Sequence, residues 1–272
     1  HGVLLDSIQL NATRDPQGVV AVGDTIIIFS SDGAGNNYFD TYDFAGNHYR
    51  EVKDTNTTGW GYRDLAFDGQ YILASEDSTI KKIDPHTFAI VSYLTIGRKL
   101  GRGLAYDPGE DVIYITNWDF YDHMLKIHAS TGYYIKSFSE TSDGPYGIAF
   151  DPYTQSGKAS LWFTYQKSFS SDPFMLHRVD TTNAKVNYVI DFKGQMPDSC
   201  LEGGLDIVNN PAAFPGKVVA LATDRKYNKL YFINISGAGD VLPKALEITD
   251  EIEGWDAVGE TRSMLVNYPY LY

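Results

Sequence analysis

One short pattern recurs along this chain and limits what it can fold into. A small or polar pair, a large apolar residue, a small residue and a second apolar residue occur together six times. The copies read QGVVAVGD from Gln17, YRDLAFDG from Tyr62, GRGLAYDP from Gly101, PYGIAFDP from Pro145, EGGLDIVN from Glu202 and EGWDAVGE from Glu253. With Val19, Leu65, Leu104, Ile148, Leu205 and Trp255 taken as equivalent, successive separations are 46, 39, 44, 57 and 50 residues. Intervals of that size belong to repeated sheet units, none of which can bury its apolar surface alone. A second pattern, alternating apolar residues running into a polar turn, interleaves with the first: YDFAGN from Tyr42, IDPHTF from Ile83, IHASTG from Ile127, VDTTNA from Val179 and INISG from Ile233.

Between these motifs lie β-prone strings such as TIIIFS at Thr25, VIYITN at Val112 and SLWFTY at Ser160. They are rich in the β-branched and aromatic residues that pack on a pleated surface. No 11-residue window carries a sustained helical spacing with caps. Each unit therefore reads as strand A, tight turn, strand B, loop, strand C, hairpin turn, strand D. The expected fold is all-β: one domain over residues 1–272, a six-bladed β-propeller of four-stranded antiparallel blades. LLDSIQL, from Leu4, occupies the place of a strand D, so the N-terminal strand is expected to complete the C-terminal blade and close the ring. Closure removes the sheet edges that invite aggregation.

The repeats resemble those of propellers carrying YVTN, NHL or gluconolactonase-type units. The matching residues are Leu65-Ala66-Phe67-Asp68, Leu104-Ala105-Tyr106-Asp107 and Ile148-Ala149-Phe150-Asp151, with Ile83-Asp84 and Ser130-Thr131-Gly132 for the second signature. The resemblance is architectural and names no substrate.

With 35 acidic against 22 basic residues, the net charge of −13 repels phosphate backbones and anionic headgroups. Nucleic acid is therefore excluded as a partner, and the lack of an 18-residue apolar run excludes membrane insertion by a helix. The acidic, aromatic-rich, lysine-poor composition suits a secreted, periplasmic or cell-surface protein. The single cysteine, Cys200, has no internal disulfide partner.

In a propeller, the loops entering strand A and leaving strand B converge on one face. That position test places Trp60, Tyr62, Arg63, Arg102, Trp118, Asp119, Tyr146, Tyr165, Glu253 and Trp255 near one rim. The mixture suits a small polar ligand, glycan or protein: sugars stack on Trp and Tyr, and Arg63 and Arg102 can clamp a carboxylate. A second reading puts calcium on the axis, held by oxygens of Asn117, Glu202, Asp224 and Asn267, as the gluconolactonase resemblance implies. Two functions follow as expectations: a non-catalytic ligand-binding propeller, or a metal-dependent hydrolase or polysaccharide lyase with its site at the axis. Asp68, Asp107 and Asp151, each ending a strand A, read as turn formers, and Trp162, inside a strand, as core.

Overall fold

The computed structural model describes residues 2–11, 13–76, 78–96, 101–116, 124–138, 145–155, 158–165 and 173–238. The chain divides into two units, His1–Asp240 and Val241–Tyr272, and the described residues lie in the first.

That unit is a β-propeller of five four-stranded antiparallel blades. The chain enters with β1 (Val3–Gln9) and then forms blade one from β2 (Asp15–Val22), β3 (Thr25–Ser31), β4 (Asn37–Tyr42) and β5 (His48–Asp54). Blade two is β6 (Leu65–Phe67), β7 (Ile72–Glu76), β8 (Thr79–Ile83) and β9 (Ile90–Thr95). Blade three is β10 (Leu104–Asp107), β11 (Val112–Thr116), β12 (Met124–His128) and β13 (Tyr134–Phe138). Blade four is β14 (Pro145–Asp151), β15 (Ser160–Tyr165), β16 (Met175–Asp180) and β17 (Val186–Asp191). Blade five takes β18 (Glu202–Asn209), β19 (Val218–Asp224) and β20 (Lys229–Asn234), with β1 as its outer strand.

The apolar runs are continuous because both faces of each sheet are buried. Along β3, Ile26 and Ile28 enter the core shared with blade five, while Ile27 and Phe29 enter the core shared with blade two. The remaining cores join blades two and three, three and four, and four and five. One core fills each of the five blade interfaces, the last joining Val219, Leu221 and Phe232 of blade five back to Val19 of blade one.

The expected six blades are thus corrected to five. The N-terminal strand does close the ring, one unit earlier than expected: Val3 pairs with Asn234 and Ile8 with Leu230, so the unit opening at Glu202 is complete with β1. EGWDAVGE, the sixth copy of the first motif, lies outside the described residues.

Strand A is the inner edge of every blade, so its unpaired N–H groups face the axis. A buried backbone donor without an acceptor is costly. Asp64 answers this: its Oδ1 accepts from Leu65 N at 3.0 Å and Leu205 N at 3.2 Å, and its Oδ2 from Ile148 N at 3.0 Å and Leu104 N at 3.4 Å. These donors hold the same repeat position in four blades. Burial nevertheless pushes the Asp64 carboxyl well above the usual carboxylate range, against the lowering effect of the four N–H groups. The residue matching Asp64 is glycine in the other blades, and sterics require it: a Cβ on Gly204 would lie 2.5 Å from Asp64 Oδ1 and 2.6 Å from Gly18 Cα.

Asp68, Asp107 and Asp151 form turns as read from the sequence, each accepting two backbone N–H bonds from the residues that follow. Trp162 is core, and its Nε1 donates to Asp151 Oδ2 at 2.7 Å.

Two outcomes test this frame. Asp64→Ala strands four axial donors and is expected to cost about 3 kcal/mol or more in urea unfolding, with Asp64→Asn, which keeps one acceptor oxygen, losing less. Ile8→Ala, emptying a buried site on the closing strand, is expected to cost about 2–4 kcal/mol in the same measurement.

Candidate functional site

The residue two places before the large apolar position of each strand A is Gln17, Arg63, Arg102, Tyr146 or Gly203. The first four of these side chains meet at the upper mouth of the axis, on the side where the chain enters strand A. The Tyr146 hydroxyl donates a short hydrogen bond to Gln17 Oε1. Arg63 Nη1 lies 3.3 Å from that same oxygen and 3.5 Å from the Tyr146 hydroxyl. In blade five, where Gly203 has no side chain, a guanidinium arrives instead from Arg225, just past β19. Arg102 and Arg225 stand 5.1 Å and 5.2 Å from the Tyr146 ring centroid. Arg63 and Arg225 stand 5.3 Å and 5.4 Å from that of Trp60.

Three guanidinium groups thus share two aromatic rings, a cation–π arrangement in a chain of strongly negative net charge. Their mutual repulsion is legible in Arg102. Burial pulls its pKa down to about 10; the Tyr146 phenol opposes the fall, and the charges of Arg63 and Arg225 add to it. Arg225 is mostly buried and reaches Asp15 Oδ2 only at 3.5 Å. Trp60 is 37% exposed.

Of the residues expected at this rim, Trp60, Arg63, Arg102 and Tyr146 are brought together. Tyr62 and Tyr165 instead lie in interblade cores. Tyr62 packs 4.8 Å from the Phe29 ring, with burial raising its phenol pKa, and Tyr165 lies edge-on to His177 at 4.4 Å. Trp118, Asp119, Glu253 and Trp255 lie outside the described residues. Gln17 and Arg225 join the rim beyond the expected residues; repeat position carries the signal for Gln17, and TDRKYNK, the segment after strand B of blade five, contains Arg225.

Of the expected calcium ligands, Asn117 and Asn267 lie outside the described residues. Glu202 and Asp224 face each other in the β18–β19 register. Asp224 is a poor fit for a cation, because Leu201, Lys226 and Tyr227 donate backbone N–H bonds to its Oδ1, and the Tyr231 hydroxyl donates to Oδ2 at 3.3 Å. Among the described residues, no three His, Cys, Asp or Glu side chains come together as a metal site would require. Burial raises the Cys200 thiol pKa, which disfavours the nucleophilic thiolate, and Sγ lies 3.1 Å from Pro197 O.

The lower end of the axis opens into a cavity of about 490 Å³. Asp206 lies on its wall and accepts from Ala21 N at 2.7 Å. Desolvation pushes its pKa up to about 6, and the only opposing influences are backbone hydrogen bonds from Ala21 and Ile207.

The comparisons bear on the fold. No protein-family model matches the chain, and no curated protein is significantly similar in sequence. Among solved structures, Myxococcus xanthus glutaminyl cyclase superposes with a TM-score of 0.61 at 12% identity, over 86% of this chain and 95% of that one. The shared feature is the propeller. A Kuenenia stuttgartiensis hydrazine synthase aligns at 16% identity and a TM-score of 0.45, over 78% of this chain and 57% of that one.

A raised carboxylate pKa means that the folded state holds the proton more tightly than the unfolded chain. The Asp206 contribution to stability is therefore full below about pH 4 and declines as pH rises to about 6. Asp206→Asn is expected to remove that decline and to stabilise the protein at pH 7 by about 1–3 kcal/mol. The check is the difference between wild-type and variant urea unfolding curves recorded from pH 4 to pH 8.

Proposed function

We propose that the upper mouth of the propeller binds, without transforming it, an acidic saccharide whose carboxylate enters the arginine cluster while a sugar ring covers Trp60. One observation carries the reading: Arg63, Arg102 and Arg225 converge on Tyr146 and Trp60. A carboxylate matches the planar donor fork of a guanidinium and relieves the repulsion among the three. The adjoining indole supplies the flat apolar face that sugar rings take. Preorganisation favours this use, since Gln17 and the Tyr146 hydroxyl hold Arg63 in place before any ligand arrives.

The Tyr146 hydroxyl is held by Gln17 and Arg63, which suits a positioning role more than proton abstraction. The structural neighbour is an enzyme by name, but at 12% identity it bears on the fold alone. A secreted or cell-surface setting accords with an acidic glycan ligand, and belongs to the same proposal.

Calorimetric titration with oligogalacturonate against the neutral oligosaccharide of the same length tests it. The acidic ligand is expected to bind roughly tenfold or more tightly than the neutral one, with Arg63→Gln or Arg102→Gln removing most of the difference. Equal affinity for both sugars, no binding of either, or turnover of the oligogalacturonate would overturn it.

A further inference from the structure

The lower cavity differs in chemistry from the upper mouth. The residue two places after the large apolar position is aromatic in three consecutive blades, Phe67, Tyr106 and Phe150, and all three rings line the cavity part-exposed. Tyr153, about half exposed, adds a fourth ring from the turn after β14. Leu65, Leu104, Ile148 and Leu205, just below Asp64, contribute aliphatic side chains to the inner wall.

One carboxylate without a cationic partner sits in this wall. In the other blades the position of Asp206 is Val20, Ala66, Ala105 or Ala149, so the charge is peculiar to blade five. Among the described residues, no Lys, Arg or His lines the cavity. The other acidic residue on the wall, Asp68, is already paired with Lys82 at 3.0 Å. Asp206 has backbone donors on one side and open cavity on the other. This part-buried carboxylate shares the cavity wall with the aromatic rings and hydrocarbon and lacks a counter-charge that tolerates losing water.

We propose that this cavity is a second binding site, which takes a methylated or quaternary ammonium group against Asp206 within the ring of Phe67, Tyr106 and Phe150. Aromatic faces attract such cations through the ring quadrupole, and the methyl groups find matching hydrocarbon. A primary ammonium fits less well, because it is a compact, strongly hydrated charge and aromatic faces and hydrocarbon do not replace the water it would lose. The cavity's volume of about 490 Å³ exceeds what a single trimethylammonium head needs, so the group enters as the end of a larger molecule.

Calorimetry on the full chain, with choline, its uncharged isostere 3,3-dimethylbutan-1-ol, and ethanolamine, tests the assignment. Choline is expected to bind roughly tenfold more tightly than the isostere, with Asp206→Asn and Phe150→Leu each weakening choline by a similar factor. Because the wild-type comparison of choline with its isostere needs no substitution, the test does not depend on a variant folding, and thermal melts establish that each variant is native. The proposal is overturned by an isostere that binds as well as choline, by ethanolamine binding more tightly than choline, by an Asp206→Asn variant with unchanged affinity, or by wild-type protein that takes up no choline at millimolar concentration.

Discussion

Five sheets arranged about an axis all turn an unpaired backbone edge inward, and everything else in this molecule is built around satisfying that edge. Side chains on the sheet faces can be buried in pairs between blades, but inner-edge N–H groups point where no neighbouring strand can reach. A single carboxylate, Asp64, takes the equivalent N–H from four blades. Glycine at the matching position elsewhere, as at Gly18 and Gly204, lets the strands come close enough for one side chain to serve them. A carboxyl group in so dry a place is tolerated because its partners are fixed donors that would otherwise go unmet.

Asp64 also divides the axis. Above it, guanidinium groups and aromatic rings gather; below it, Phe67, Tyr106, Phe150 and the Asp206 carboxylate line one cavity. The two ends differ because the repeat is imperfect. Positions that every blade needs for packing hold apolar residues throughout, so they are alike. Positions whose side chains reach the upper mouth of the axis are free to differ, and there the chain carries Gln17, Arg63, Arg102 and Tyr146. Asp206 is an exception among the packing positions, standing where the other blades bury Val20, Ala66, Ala105 or Ala149. In a fold made of near-identical units, chemistry resides where the units disagree.

Several parts of this arrangement were readable from the residues. The interleaved motifs located all five inner strands, β1 appeared as a strand D that closes the ring, and Asp68, Asp107 and Asp151 were recognisable as turn residues. The blade number was not readable. A sixth copy of the first motif stands at Glu253, and a local pattern cannot tell whether the unit opening at Glu202 takes its fourth strand from downstream or from the N-terminus. The rim was half readable. The same position test that found Arg63, Arg102 and Tyr146 also selected Tyr62 and Tyr165, whose rings turn into the interblade cores.

What the sequence determined by itself is the identity of the unit, since strand periodicity, turn chemistry and repeat spacing are local properties carried by a few consecutive residues. Only the tertiary structure decided how many units close the ring and which side chains meet on the axis. Both depend on contacts between residues more than a hundred positions apart, such as Ile8 with Leu230 and Asp64 with Leu205. Such contacts are set by the geometry of five packed blades, and no single repeat contains that geometry.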